Sequence, residues 1–98
     1  MSTASDDLTG RTAIVTGASK GIGRSIAELF AARGANVVLG ARSAPLLGDV
    51  AAGITERGGV AVEVEVDVMA EDAPGRLVTA AVEAFGGVDI LVNNAGGN

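Results

Sequence analysis

The sequence predicts an α/β fold: a doubly wound parallel sheet of four strands alternating with three helices. Three observations carry this. Short apolar runs alternate along the chain with segments of helical period, the pattern of βαβ units. A glycine-rich turn, Thr16-Gly17-Ala18-Ser19-Lys20-Gly21-Ile22-Gly23, joins the first apolar run to the first helical segment. Finally, 48% of the 98 residues are apolar while only Phe30 and Phe85 are aromatic. The core is therefore built from Val, Ile, Leu and Ala, the mix found in parallel strands covered by helices.

Residues 1–10 are polar and read as a loosely held lead-in. Residues 11–16 form the first strand, a short buried-type run. The first helix is expected over residues 22–33, with Ile22, Ile26, Leu29 and Phe30 on its inner face and Arg33-Gly34 as its stop. Residues 36–40 give a second strand. Ser43 is placed to cap a second helix, with Pro45 in its first turn and Leu47, Val50, Ala51 and Ile54 inward. Gly48 and Gly53 each weaken that helix by up to about 1 kcal/mol relative to alanine, so it is expected to be the least regular of the three.

A third strand over residues 60–68 alternates, with Val60, Val62, Val64 and Val66 on one face and Glu63 and Glu65 on the other. Two carboxylates on one face are costly in the middle of a helix-covered sheet, which puts this strand at an edge. Pro74 opens the third helix, with Val78, Ala81, Val82 and Phe85 expected inward and Gly86-Gly87 stopping it. Residues 88–92 are a fourth, apolar strand that runs into Asn93-Asn94-Ala95-Gly96. With strand three at an edge, the order is 3-2-1-4, and the sheet reverses direction between strands one and four. Ligands of such sheets sit outside the carboxyl ends of the strands at that switch point, between the glycine turn and Asn93-Asn94-Ala95-Gly96.

Composition excludes several function classes. A net charge of −5, with six arginines and one lysine largely scattered, argues against a nucleic-acid partner. Without cysteine or histidine there is no disulfide framework, and a transition-metal site is not expected. No apolar run approaches the roughly 20 residues that span a bilayer, and the start of the chain is not signal-like, so no membrane partner and a cytoplasmic location are expected. Glu63 and Glu65, about 7 Å apart on a strand, have nothing nearby to keep one protonated and read as a solvated edge. Ser19 has no histidine to activate it as a nucleophile.

The glycine turn has a physical use. It lets the backbone turn sharply, approach a ligand closely and pack the helix tight on its strand. Amide groups at the helix start then face an anion that the helix dipole favours, so the stretch reads as a phosphate-binding turn. At the end of strand two, Gly40-Ala41-Arg42 carries no carboxylate to hydrogen-bond a ribose 2′-hydroxyl. Arg42 stands there instead, with Lys20 inside the turn, and the two suit a 2′-phosphate.

Four features occur at one characteristic spacing: Thr16-Gly17-x-x-x-Gly21-x-Gly23, the strand end near Arg42, Asp67-Val68 after strand three, and Asn93-Asn94-Ala95-Gly96. In these the chain resembles the N-terminal, cofactor-binding half of the short-chain dehydrogenase/reductase family, over about residues 9–98. The resemblance implies a partial Rossmann-type sheet and a nicotinamide dinucleotide. Gly17, Ser19, Gly21, Ile22 and Gly23 are implied on the pyrophosphate side, Asp67 on the adenine amino group with Val68 beside the ring, and Asn94, Ala95 and Gly96 along the ribose. Basic residues at the positions of Lys20 and Arg42 mark family members that take NADP(H), the cofactor expected here, with NAD(H) as the alternative.

The family's chemistry moves hydride between nicotinamide and a carbonyl or secondary alcohol, commonly in a homo-oligomer, and 3-oxoacyl-thioester reduction is one activity the resemblance admits. Its tyrosine and the lysine four residues later lie beyond Asn93-Asn94-Ala95-Gly96, and this chain has no tyrosine, so no catalytic residue is assigned. Residues 1–98 are accordingly expected to be a single dinucleotide-binding domain of a longer enzyme, cut before its catalytic half. Two other readings stay open: a non-catalytic nucleotide-binding or regulatory module, and a half-domain that assembles with another chain.

Overall fold

A computed structural model describes residues 8–94. Seven elements follow in chain order: β1 (Thr12–Thr16), α1 (Gly21–Ala32), β2 (Asn36–Ala41), α2 (Ala44–Glu56), β3 (Val60–Glu65), α3 (Ala73–Phe85) and β4 (Ile90–Val92). The four strands form one parallel sheet in the order β3-β2-β1-β4, with Thr12 opposite Asn36, Asn36 opposite Val60, and Ala13 opposite Ile90. This is the expected doubly wound sheet, with β3 at the edge that its two carboxylates suggested.

Helices cover both faces. On one, α1 and α2 pack over Ala13, Val15, Val37 and Leu39, with Ala27, Ala31, Leu47, Val50 and Ile54 supplying the helix side. Leu8 packs against the margin of this core, and its N–H donates to the Arg33 carbonyl at 3.1 Å. On the other, α3 seats Ala73, Leu77 and Ala81 against Ile14, Val38 and Val66. The alternation of a strand thus feeds two cores, which is why β1 and β2 are buried along almost their whole length and apolar at their centres.

Two inner faces differ from the expected ones. In α1 the buried residues are Gly23, Ala27 and Ala31, whereas Ile22 is 70% and Leu29 51% exposed. Ile26 and Phe30 only flank the core. In α3 the buried stripe is Ala73, Leu77 and Ala81, while Val78 and Val82 are half exposed. In α1 the residues that meet the sheet are the smallest of the helix and the larger ones are turned aside, whereas in α3 it is Leu77 that enters the core, in the space left by the missing side chain of Gly40.

The second helix was expected to be the least regular of the three, yet α2 runs unbroken for 13 residues despite Gly48 and Gly53. The Ser43 hydroxyl accepts from the Leu46 N–H, and Leu47, Val50, Ala51 and Ile54 are all buried, as the spacing indicated. Burial and cap together outweigh the glycines. β3 stops at Glu65 rather than residue 68 because its partner β2 stops at Ala41; one further bond, Val66 N–H to the Ala41 carbonyl at 2.8 Å, ends the ladder. β4 is shorter than residues 88–92. Asp89 instead makes a local lock on β1, its N–H donating to the Thr12 carbonyl and its Oδ2 accepting from the Thr12 N–H, both at 2.9 Å.

Candidate cofactor site

The carboxyl ends of all four strands open into one crevice of about 770 Å³. From β1 comes the glycine turn. Gly17 and Gly21 hold φ of +63° and +62°, a region that side chains with a Cβ avoid. The turn is anchored beneath by the Ala18 N–H, which donates to the Gly40 carbonyl of β2 at 3.2 Å. Space around the two later glycines differs. At Gly21 a Cβ meets nothing within 4 Å, so the backbone there faces open crevice. At Gly23 a Cβ overlaps the Gly17 carbonyl and lies 2.7 Å from Asn94 Nδ2. Gly23 is the contact by which α1 seats on the turn, and it lies behind the crevice wall rather than in it.

Lys20 occupies the N-cap of α1 with an extended backbone, and no side chain caps the helix or places an acid in its first turn. α2 contrasts, since Ser43 caps it. The first turn of α1 therefore brings uncompensated N–H groups and the positive end of its dipole to the crevice.

The other strands bring the remaining groups. β2 delivers Arg42, β3 delivers Asp67 and Val68, and β4 delivers Asn94. Lys20 and Arg42 are both exposed, and neither forms an ion pair among the described residues, where the pairs are Arg11–Asp89 and Arg24–Glu28. Asp67 Oδ1 accepts the Met69 N–H at 2.9 Å, and its carbonyl accepts the Ala70 N–H at the same distance. The carboxylate thus shapes the loop after β3, and Oδ2 has no partner among the described residues. On the β4 side, Asn94 Nδ2 donates to the Gly17 carbonyl at 3.5 Å, so the two ends that flank the switch point touch. No group of three or more potential metal ligands exists among the described residues.

Of the residues singled out by sequence, Gly17, Ser19, Lys20, Gly21, Ile22, Arg42, Asp67, Val68 and Asn94 line this single crevice. Ala95 and Gly96 lie outside the described residues. Sequence reading missed Ser43, Leu46 and Met69, which also line it. Ser43 had been assigned only its capping role. Leu46 was locatable, because a helix capped at residue 43 turns its first residues toward the strand ends. Met69 carried no signal, since its place depends on the turn made by Asp67.

These features fit a dinucleotide with an anionic middle and an apolar, hydrogen-bonding base: an open glycine cradle, an uncapped helix start, and two cations and a carboxylate oxygen without a partner among the described residues.

The comparisons agree with this geometry. The family model described as short chain dehydrogenase matches residues 11–98. Glucose 1-dehydrogenase 2 of Bacillus subtilis is 50% identical over 94% of this chain and 36% of its own length. The 3beta-hydroxysteroid dehydrogenase 1 of Eggerthella lenta is 47% identical over 93% of this chain and 35% of its own. Among solved structures, L-sorbose reductase from Gluconobacter frateurii, complexed with NADPH and L-sorbose, superposes with a TM-score of 0.86 at 45% identity, covering 90% of this chain and 34% of that one. Hydroxysteroid dehydrogenase from Escherichia coli gives 0.91 at 41% identity, over 98% of this chain and 41% of that one. The chain thus spans little more than a third of the length of these relatives. With the model match over nearly all its residues and a parallel 3-2-1-4 sheet behind the glycine turn, this chain belongs to the short-chain dehydrogenase family.

Proposed function

We propose that this chain is the cofactor-binding part of an NADP(H)-dependent oxidoreductase acting between a carbonyl and a secondary alcohol. The observation that supports it most is the end of β2. Arg42 follows the last strand residue, Ala41, with no acidic side chain beside it, and it lines the crevice together with Lys20. A carboxylate there would repel a 2′-phosphate, whereas the cations Arg42 and Lys20 attract it. The NADPH named in the L-sorbose reductase structure is in keeping with this reading.

When bound, the nicotinamide supplies or accepts hydride. The residues of this chain bind and orient. Gly17, Ser19, Gly21 and Ile22, backed by Gly23, cradle the pyrophosphate against the start of α1. Arg42 and Lys20 hold the 2′-phosphate. Asp67 Oδ2 takes the adenine amino group while Oδ1 keeps the loop in shape. Asn94, Ala95 and Gly96 carry the ribose. In this reading residues 1–98 form one dinucleotide-binding domain, and the substrate is chosen by residues other than these.

Calorimetric titration with NADPH and with NADH tests the proposal. Submillimolar NADPH binding that is clearly tighter than NADH binding, and that is lost selectively in Arg42→Asp, is the expected result. Equal affinity for both cofactors, unchanged by Arg42→Asp, overturns the NADP(H) assignment.

A further inference from the structure

The crevice holds a group that the dinucleotide reading leaves without a role: the thioether of Met69. This residue is 80% exposed and lines the crevice beside Asp67 and Val68. It does not hang there by chance, because its backbone N–H is held by Asp67 Oδ1 at 2.9 Å. The same crevice is lined by Leu46, in the first turn of α2 and itself partly exposed. Met69 and Leu46 thus belong to the apolar part of a crevice lining that also carries the charges of Lys20, Arg42 and Asp67.

An exposed thioether at a binding wall has a chemistry that leucine lacks. Peroxides convert it to the sulfoxide, which is polar and stiffer, and such a change disrupts apolar contact surfaces. The chain has two methionines and no cysteine, so Met69 and Met1 are its only oxidisable sulfurs.

We propose that Met69 is an oxidation site that sets the affinity of the crevice for the adenine half of its ligand: as the thioether it packs on the base, and as the sulfoxide it does not. The proposal rests on the cofactor reading above. In the step, the sulfur takes one oxygen atom from hydrogen peroxide as the O–O bond breaks. The sulfur loses two electrons, and the peroxide leaves as water. Because the Met69 N–H bonds to the carboxylate proposed to hold the adenine amino group, a sulfoxide that shifts residue 69 also disturbs Asp67.

The test uses NADPH titration before and after hydrogen peroxide, on the wild-type chain and on Met69→Leu, with peptide mass mapping to confirm where oxygen was gained. Met69→Leu keeps Met1, so it controls for oxidation elsewhere. The expected result is that peroxide weakens wild-type binding about tenfold, the order expected for losing one apolar side-chain contact. Met69→Leu should bind equally well before and after. Saturating NADPH should also slow oxidation of Met69 and leave that of Met1 unchanged.

Wild-type chain with Met69 fully converted that binds as before overturns the proposal, as does an equal loss in Met69→Leu. Failure of the untreated wild type to bind NADPH is a different outcome. It removes the cofactor reading itself, and this proposal with it.

Discussion

The backbone N–H of Asn94 donates to Oγ1 of Thr16 at 2.9 Å, joining the residue that ends β1 to the second residue past β4. The same hydroxyl lies 3.3 Å from the Val92 carbonyl and 3.4 Å from Asn93 Oδ1, so its own proton has an acceptor. One buried hydroxyl thus holds together the two strand ends that flank the switch point. Thr16→Val keeps the shape and removes the bonds, leaving the Asn94 N–H without its partner. It should cost about 1–3 kcal/mol of stability, read from urea denaturation. A change within experimental error would show that the junction is held by the strands alone.

Gly21 and Gly23 should fail for opposite reasons. Gly21 has room for a side chain but a φ of +62°, whereas Gly23 has an ordinary backbone but no room. Both alanine variants should lose about 1–3 kcal/mol. Asparagine, which tolerates a positive φ, should recover part of the loss at 21 and deepen it at 23. Thermal melts of the four variants decide this, and the same rank order at both positions would refute it.

Arg42→Asp should weaken NADPH binding by about 10- to 100-fold, the range for one charge-assisted bond, and improve NADH relative to NADPH. Raising the salt concentration should weaken NADPH binding to the wild type more than to the variant. Calorimetry at two ionic strengths measures both effects.

The two faces of α3 give a packing test. Leu77→Ala should cost about 2–4 kcal/mol, because Leu77 is buried against the sheet and its Cδ2 sits where a side chain on Gly40 would be. Val82→Ala, at a half-exposed site, should stay within about 0.5 kcal/mol. Chemical denaturation midpoints compare them. A larger effect at Val82 would restore the inner face that hydrophobicity alone suggested.

That contrast shows what the sequence makes legible. The strands, their order and the glycine turn followed from local patterns: buried apolar runs, Glu63 and Glu65 on one face of β3, and glycines at a strand-to-helix junction. The inner face of α2 also followed, because its large residues are the ones that face inward. The faces of α1 and α3 did not, because hydrophobic spacing assumes that the largest apolar residues face the core. In α1 glycine and alanines meet the sheet instead, and in α3 the inward position goes to Leu77, which fits the space left by Gly40 on a neighbouring strand. In the site, the residues that follow the strand ends and line the crevice were readable from spacing. Met69 was not, since it reaches the crevice through a hydrogen bond to Asp67 that no periodicity encodes.

The row Gly23, Ala27 and Ala31 has a consequence for how α1 tolerates change. On most amphipathic helices, the more apolar a residue is, the less freely it can be replaced. On α1 the order should be inverted: an added methyl at the buried Ala27 or Ala31 is expected to push the helix off the sheet and with it the first turn, while Leu29 stands half in solvent. In a saturation library scored for NADPH binding, the alanines of this helix should be its rigid positions and Leu29 its permissive one. On that expectation, side chains of a single carbon that lie outside the crevice lining set how firmly the glycine turn is held.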